Sequence, residues 1–139
     1  MADPLTAAMR IASSGLQAQS LRVRIVSENL ANVESTGKAP GSNPYRRKEV
    51  TFATELDRLT GDPLVRVNSV RGDPTPFKTE YRPGHPAADA SGYVKLPNVN
   101  MIIEIADLKQ ANRSYEANLQ VVKQSREMTA MTIDLLKSQ

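Results

Sequence analysis

Cysteine is absent from the 139 residues, which removes disulfides and thiolate chemistry. Tryptophan is also missing and aromatics make up only 4%. That argues against a thick globular core and suits thin helical packing by Leu, Val, Ile, Met and Ala. There is one histidine, His85, set in the turn Gly84-His85-Pro86. A metal site would need clustered carboxylates, and no such spacing occurs. No phosphate loop, dinucleotide fingerprint or nucleophile elbow is present. Carboxylates are scattered, so no acid–base pair can be named. No catalytic residue, cofactor, metal or small-molecule substrate is expected. No apolar run approaches the roughly 20 residues a membrane helix needs. The first residues lack a charged stretch followed by an apolar one, so no cleaved signal peptide is expected.

Glycine and proline are missing from Met101 to Gln139, and what remains there is heptad spacing. Met101, Ile105, Leu108, Tyr115, Leu119, Val122, Ile133 and Leu136 form one row, passing through polar Asn112, Arg126 and Thr129. A second row, Val121, Met128, Met131 and Leu135, lies almost opposite. One row needs one partner; two rows need partners on two sides. At about 1.5 Å per residue such a helix runs to roughly 55 Å, with either Asn98 or Asn100 as its cap. The N-terminal segment answers it. Leu5, Met9, Ala12, Leu16, Gln19, Val23, Val26, Leu30 and Val33 alternate by four and three. Asp3-Pro4 reads as its start, and Ser35-Thr36-Gly37 as a stop. Gly15 costs about 1 kcal/mol against Ala inside a helix; close approach of a neighbouring backbone is one reason for it, and a local weak point is the alternative.

Between Glu34 and Asn98 the composition changes. This stretch holds eight of the nine prolines, six of the seven glycines and five of the six aromatics. Alternation predicts strands over Lys48–Glu55, over Leu64–Val70 and around Phe77, Thr79 and Tyr81. Gly61-Asp62-Pro63, Gly72-Asp73-Pro74 and Pro83-Gly84 are turn chemistry. The predicted fold class is therefore mainly α with a small β insertion. Long N- and C-terminal helices form an antiparallel coiled-coil pair, with a loop-rich β unit between them. The domain division that follows is residues 1–33 with 99–139 as the helical part, and 34–98 as the Pro/Gly-rich insertion.

A lone helix pair buries one seam and leaves the second row uncovered, and an exposed apolar strip of that length marks an assembly surface. The expected seam comprises Leu5, Met9, Leu16, Val23, Leu30, Ile105, Leu108, Tyr115, Leu119, Val122, Ile133 and Leu136. The expected intersubunit row comprises Val121, Met128, Met131 and Leu135. Arg46-Arg47-Lys48 follows Tyr45, and a basic cluster beside an aromatic suits nucleic acid. However, there is no stacking series of aromatics and the net charge is only +3. A solvated or intersubunit salt-bridging role is the stronger reading. A weak nucleic-acid binder and a coiled-coil interaction adaptor stand as the alternatives.

Ser14-Gly15-Leu16-Gln17-Ala18-Gln19-Ser20, followed by Ser27-Glu28-Asn29-Leu30-Ala31-Asn32-Val33, resembles the N-terminal motif of the axial rod and hook proteins of the bacterial flagellum. Further runs narrow the resemblance to the proximal rod members. They are Pro44-Tyr45-Arg46-Arg47-Lys48, Pro83-Gly84-His85-Pro86-Ala87-Ala88-Asp89, Gly92-Tyr93-Val94, Pro97-Asn98-Val99-Asn100 and Arg113-Ser114-Tyr115-Glu116-Ala117-Asn118. The stretch Val50 to Lys78 carries little of it. The resemblance implies export unfolded through the flagellar type III route with an uncleaved signal. It implies assembly with itself and other rod subunits in the periplasmic rod, which transmits torque for motility. It places export-gate and adaptor proteins at the rod base among the neighbours, and implies no catalysis and no nucleic-acid partner.

Overall fold

The computed structural model describes residues 3–138. The residues 1, 2 and 139 that end the predicted helical domain lie outside the described residues. In chain order the elements are α1 (Pro4–Ala31), β1 (Lys48–Leu56), β2 (Pro63–Gly72), β3 (Lys78–Tyr81), β4 (Tyr93–Leu96) and α2 (Met101–Lys137). The fold is mainly α, with two long helices packed against each other and two small sheets between them in sequence.

α1 begins at Pro4, whose fixed φ and missing N–H suit a first helical position. Asp3 stands before it; its carbonyl accepts from Ala7 N (3.0 Å) and its carboxylate from the Thr6 hydroxyl (3.2 Å). The helix stops two residues before Val33, because Asn32 N and Val33 N donate three residues back, to Asn29 O and Leu30 O. α2 is capped by Asn100, whose Oδ1 accepts from Ile102 N (3.1 Å) and Ile103 N (3.4 Å). Asn98, the other predicted cap, is used elsewhere. β1 and β2 pair with each other, and β3 pairs antiparallel with β4 in the register Lys78–Leu96 to Tyr81–Tyr93. β4 was not among the predicted strands. Gly92, at φ +85°, precedes β4, and a Cβ there would meet the Tyr81 ring at 2.8 Å.

Two compact units are present, and each draws on both terminal and central segments. The first comprises Met1–Val23, Thr51–Ser69 and Lys109–Gln139. Its buried positions are small: Ala12, Gly15, Ala18, Ala111 and Ser125, with Val122 the largest apolar one. A Cβ on Gly15 would lie 2.8 Å from Asn118 Nδ2 and 2.9 Å from its Oδ1. The close approach at Gly15 is thus made by a side chain rather than by backbone. On another side of α1, Ser14 Oγ accepts from Val65 N (3.0 Å) and donates to Ile11 O (2.7 Å). Arg10 forms an ion pair with Asp62 at 2.9 Å.

The second unit comprises Arg24–Val50 and Val70–Leu108. Ile25, Val26, Ala87, Val94 and Val99 are its buried apolar residues. Beside them, Asn29, Asn98 and Glu104 are buried and polar.

Candidate assembly surface

The two helices run antiparallel: Gly15 faces Asn118, and Asn29 Nδ2 donates to Glu104 Oε2 at 3.1 Å. Going forward along α1 goes back along α2 by the same number of residues. Continuing that register in the first unit puts Pro4 opposite Thr129. The rest of α2, through Lys137, therefore extends past the start of α1. Every residue from Ala130 to Ser138 is exposed, including Met131, Ile133, Leu135 and Leu136. Leu135 is 69% and Leu136 71% exposed.

The predicted residues divide accordingly. Leu5, Met9, Leu16, Val23 and Leu30 on α1 are half-buried, as are Leu108 and Leu119 on α2, while Val122 is buried. Ile105, Tyr115, Ile133 and Leu136 are exposed in the single chain. All four of Val121, Met128, Met131 and Leu135 are exposed. What α2 buries instead lies on a face one residue over: Glu104, Ala111, Asn118 (half-buried) and Ser125, spaced by seven. A search for apolar periodicity passes over this series because none of its members is a large apolar residue. Its heptad spacing, opposite a face of α1 with Ala12, Gly15 and Ala18, is the signal that finds it. The opening of α2 adds exposed Met101, Ile102 and Ile103; Ile102 is 79% exposed.

In the second unit a polar cluster fixes the frame that carries this opening turn. Asn29 is completely buried. Its Oδ1 accepts from Tyr45 OH (2.8 Å) and Lys48 N (2.9 Å), and its Nδ2 donates to Lys48 O (2.9 Å) as well as to Glu104. Glu104 Oε1 accepts from Arg47 Nε at 2.5 Å. Arg47 also pairs with Glu49 (3.1 Å) and Asp73 (3.3 Å). Asn98 Oδ1 accepts from Arg47 N (2.8 Å), while its Nδ2 donates to Asp73 O (3.1 Å) and Thr75 O (3.0 Å). The potentials follow. Burial, with Glu28 and Glu104 close by, pushes the Tyr45 phenol up to about 12. Burial pulls the Arg47 guanidinium down, but its bonds to Glu104 and Asp73 outweigh that and hold it above its ordinary value. Hydrogen bonds from the Thr75 side chain and backbone, together with Arg47, hold Asp73 below the usual carboxylate range.

This disposes of the basic cluster as an open patch. Arg46 stacks 4.2 Å over the Phe77 ring and donates to Asp73 O and Thr75 O. Arg47 is committed to its carboxylates, and Lys48 pairs with Glu28. Within the chain this run makes salt bridges from Arg47 and Lys48. His85 is a turn residue whose Nδ1 accepts from Ala87 N at 3.0 Å. Among the described residues no three His, Cys, Asp or Glu side chains gather as a metal site, and no helix is long and apolar enough to cross a membrane.

Two family models match the chain. The flagella basal body rod protein model covers residues 9–37, and the flagellar basal body rod FlgEFG protein C-terminal model covers residues 90–135. A flagellar basal-body rod protein FlgC from Agrobacterium fabrum is 59% identical, over 98% of each chain. One from Borreliella burgdorferi is 38% identical over 96% of this chain and 98% of its own. One from Salmonella typhimurium is 42% identical over 90% of this chain and 92% of its own. Helices that match the rod models, an apolar strip with no cover in the chain, and similarity along nearly the whole length converge: the chain belongs to the FlgC family of flagellar basal-body rod proteins.

Proposed function

We propose that this chain is a structural subunit of the flagellar basal-body rod. It polymerises through its terminal helices into the proximal part of the drive shaft that transmits torque for motility. The observation that carries the reading is the exposed end of α2. Met128, Met131, Ile133, Leu135 and Leu136 stand free on a helix that outruns α1. Burying side chains of this size contributes about 1.5–3 kcal/mol each, and a row of them favours association. Neighbouring copies and other rod subunits are the partners that cover Val121, Met128, Met131 and Leu135 and complete the seam at Ile105, Tyr115, Ile133 and Leu136. In that assembly residues 1–33 and 99–139 act as the axial part and 34–98 as the outlying insertion. Export without a cleaved leader, and contact with export-gate and adaptor proteins at the rod base, belong to the same reading. The polar cluster is its internal frame and carries no chemistry of its own.

The test is subunit content of purified basal bodies. The wild-type chain is expected there in amounts comparable with other rod subunits. Its absence from intact basal bodies overturns the reading.

A further inference from the structure

β1 and β2 are joined by a turn over residues 57–62 whose shape is fixed from inside the chain. Asp57 Oδ1 accepts from Leu59 N and Thr60 N, both at 3.0 Å, and Asp57 O accepts from Gly61 N at 2.8 Å. Gly61 takes φ +75°, which favours glycine. Asp62 accepts from the Thr60 hydroxyl at 2.9 Å and pairs with the Arg10 guanidinium at 2.9 Å, so the turn is tied to α1. What this turn presents is Leu59, 95% exposed. A side chain on a turn already held in one shape loses little further freedom when it is bound. The amides of Leu59 and Thr60 are spent on Asp57, whereas among the described residues nothing donates to the carbonyls of Arg58, Leu59 or Thr60.

In the same unit, α1 and β2 leave a groove beside the turn, lined in part by Arg10. It consists of two hollows of about 320 and 330 Å³ that share Ser14, Gln17 and Leu64. Volumes of this order seat small ligands. Met9, Leu21 and Leu64 are its apolar walls, and Ser13 and Gln17 carry hydrogen-bond donors. Val65 N donates to Ser14 Oγ, which closes the strand edge to α1 at that point. The groove therefore suits an inserted side chain better than an added strand. Leu59 does not fill it in its own chain.

We propose that Leu59 of one copy seats in the α1–β2 groove of a second copy. The two features match in kind: an apolar knob flanked by free carbonyls meets an apolar slot flanked by a hydroxyl and an amide donor. Knob and groove are different surfaces, so the contact is head-to-tail and can repeat from copy to copy. It uses no residue of α2, and so goes beyond the assembly through the terminal helices.

The chain has no cysteine, so introduced cysteines report this contact without background. Leu59→Cys and Gln17→Cys, both at exposed positions, are made as separate full-length chains, mixed and oxidised. The disulfide between positions 59 and 17 is expected to exceed its random share severalfold over the 59–59 and 17–17 products. A random share overturns the proposal, whether the groove is then empty or takes a different chain. Sedimentation velocity gives a second reading. Leu59→Asp is expected to weaken self-association about tenfold, the lower end of what burying one leucine contributes. Gln17→Trp, which fills the groove from an exposed position, is expected to do the same. Association of Leu59→Asp equal to that of the wild type overturns the proposal. Neither measurement uses basal bodies, so the rod reading stands or falls separately.

Discussion

The two units solve the same problem, holding α1 to α2, by opposite means. In one, Asn29, Arg47, Asn98 and Glu104 bind five parts of the chain through directional bonds. In the other, Gly15, Ala12, Ala18, Ala111 and Ser125 let the helices approach, and the contact ends before α2 does. The difference teaches where order comes from. Directional bonds between buried groups specify one arrangement and do not need a neighbour. Small side chains bury little apolar area each, and the row beyond them is exposed in the single chain. The frame is therefore internal to the subunit, and the proposed assembly surface is the exposed tip of α2.

The largest expected effect strikes the frame. Glu104→Ala removes a buried carboxylate and leaves Arg47 with Glu49 and Asp73, both only partly buried. Removing one partner of a buried pair costs about 3–5 kcal/mol, and the remaining partners of Arg47 put this change at the lower end. Urea denaturation of the monomer checks it. A loss under 1 kcal/mol would show that both units depend on small-residue packing and would erase the contrast.

Next comes the other unit. Gly15→Ala places a methyl against Asn118, whose Nδ2 is bonded to Ser114 O. Asn118 must give way, and the expected cost is about 1–2 kcal/mol. With Asn118→Ala in the same chain the clash disappears and the better helix propensity returns about 1 kcal/mol. A double-mutant cycle measures the coupling. Additive effects of the two changes would mean that Gly15 is not reserved for Asn118.

How far the sequence disclosed this arrangement depends on the kind of residue. Both helices, their antiparallel pairing and three strands were legible, because heptad repeats, two-residue alternation and Gly/Pro punctuation are local signals. Asn100 as a cap was legible as one of two choices. The inner face of α2 was not, since Glu104, Ala111, Asn118 and Ser125 carry no apolar signal. Nor was the commitment of Arg46, Arg47 and Lys48 to internal partners. Their carboxylates and carbonyls, at Glu28, Asp73 and Glu104, lie up to 57 residues away along the chain, and no spacing rule reaches that far. The outer row of α2 was read from spacing, and its exposure leaves it available to neighbours.

Alkali separates the units more gently. The Tyr45 phenol is pushed up to about 12 by burial and by Glu28 and Glu104. Its proton is held more tightly in the folded chain than in the unfolded one, where it titrates near 10. The associated stability is complete below pH 10 and is lost as pH rises towards 12. Because the ring is only half-buried, solvent screening reduces the effect to about 1 kcal/mol. The denaturation midpoint of the wild type should fall across that window. Tyr45→Phe should flatten the fall while lowering the starting value, since Asn29 loses a donor. An unchanged slope would mean that the phenol is not coupled to the frame.

The smallest effect on the subunit should be the largest on the assembly. Met128 is more than half exposed and stands in the outer row of α2. Met128→Asp breaks no contact of the frame and leaves the new carboxylate in water, so monomer stability should change by no more than about 0.5 kcal/mol. In the rod the same carboxylate would be buried against a neighbour without a partner, at a cost of several kcal/mol. Incorporation into basal bodies should then drop well below wild type, and swimming should fail, while the purified monomer melts as before. An Arg or Lys on the neighbour could pair with the new Asp, so Leu135→Asp, one heptad further along the row, is measured beside it. Entry of both variants at wild-type levels would show that this face of α2 stays in water in the rod. A matching loss of monomer stability would show instead that the row is part of the internal frame.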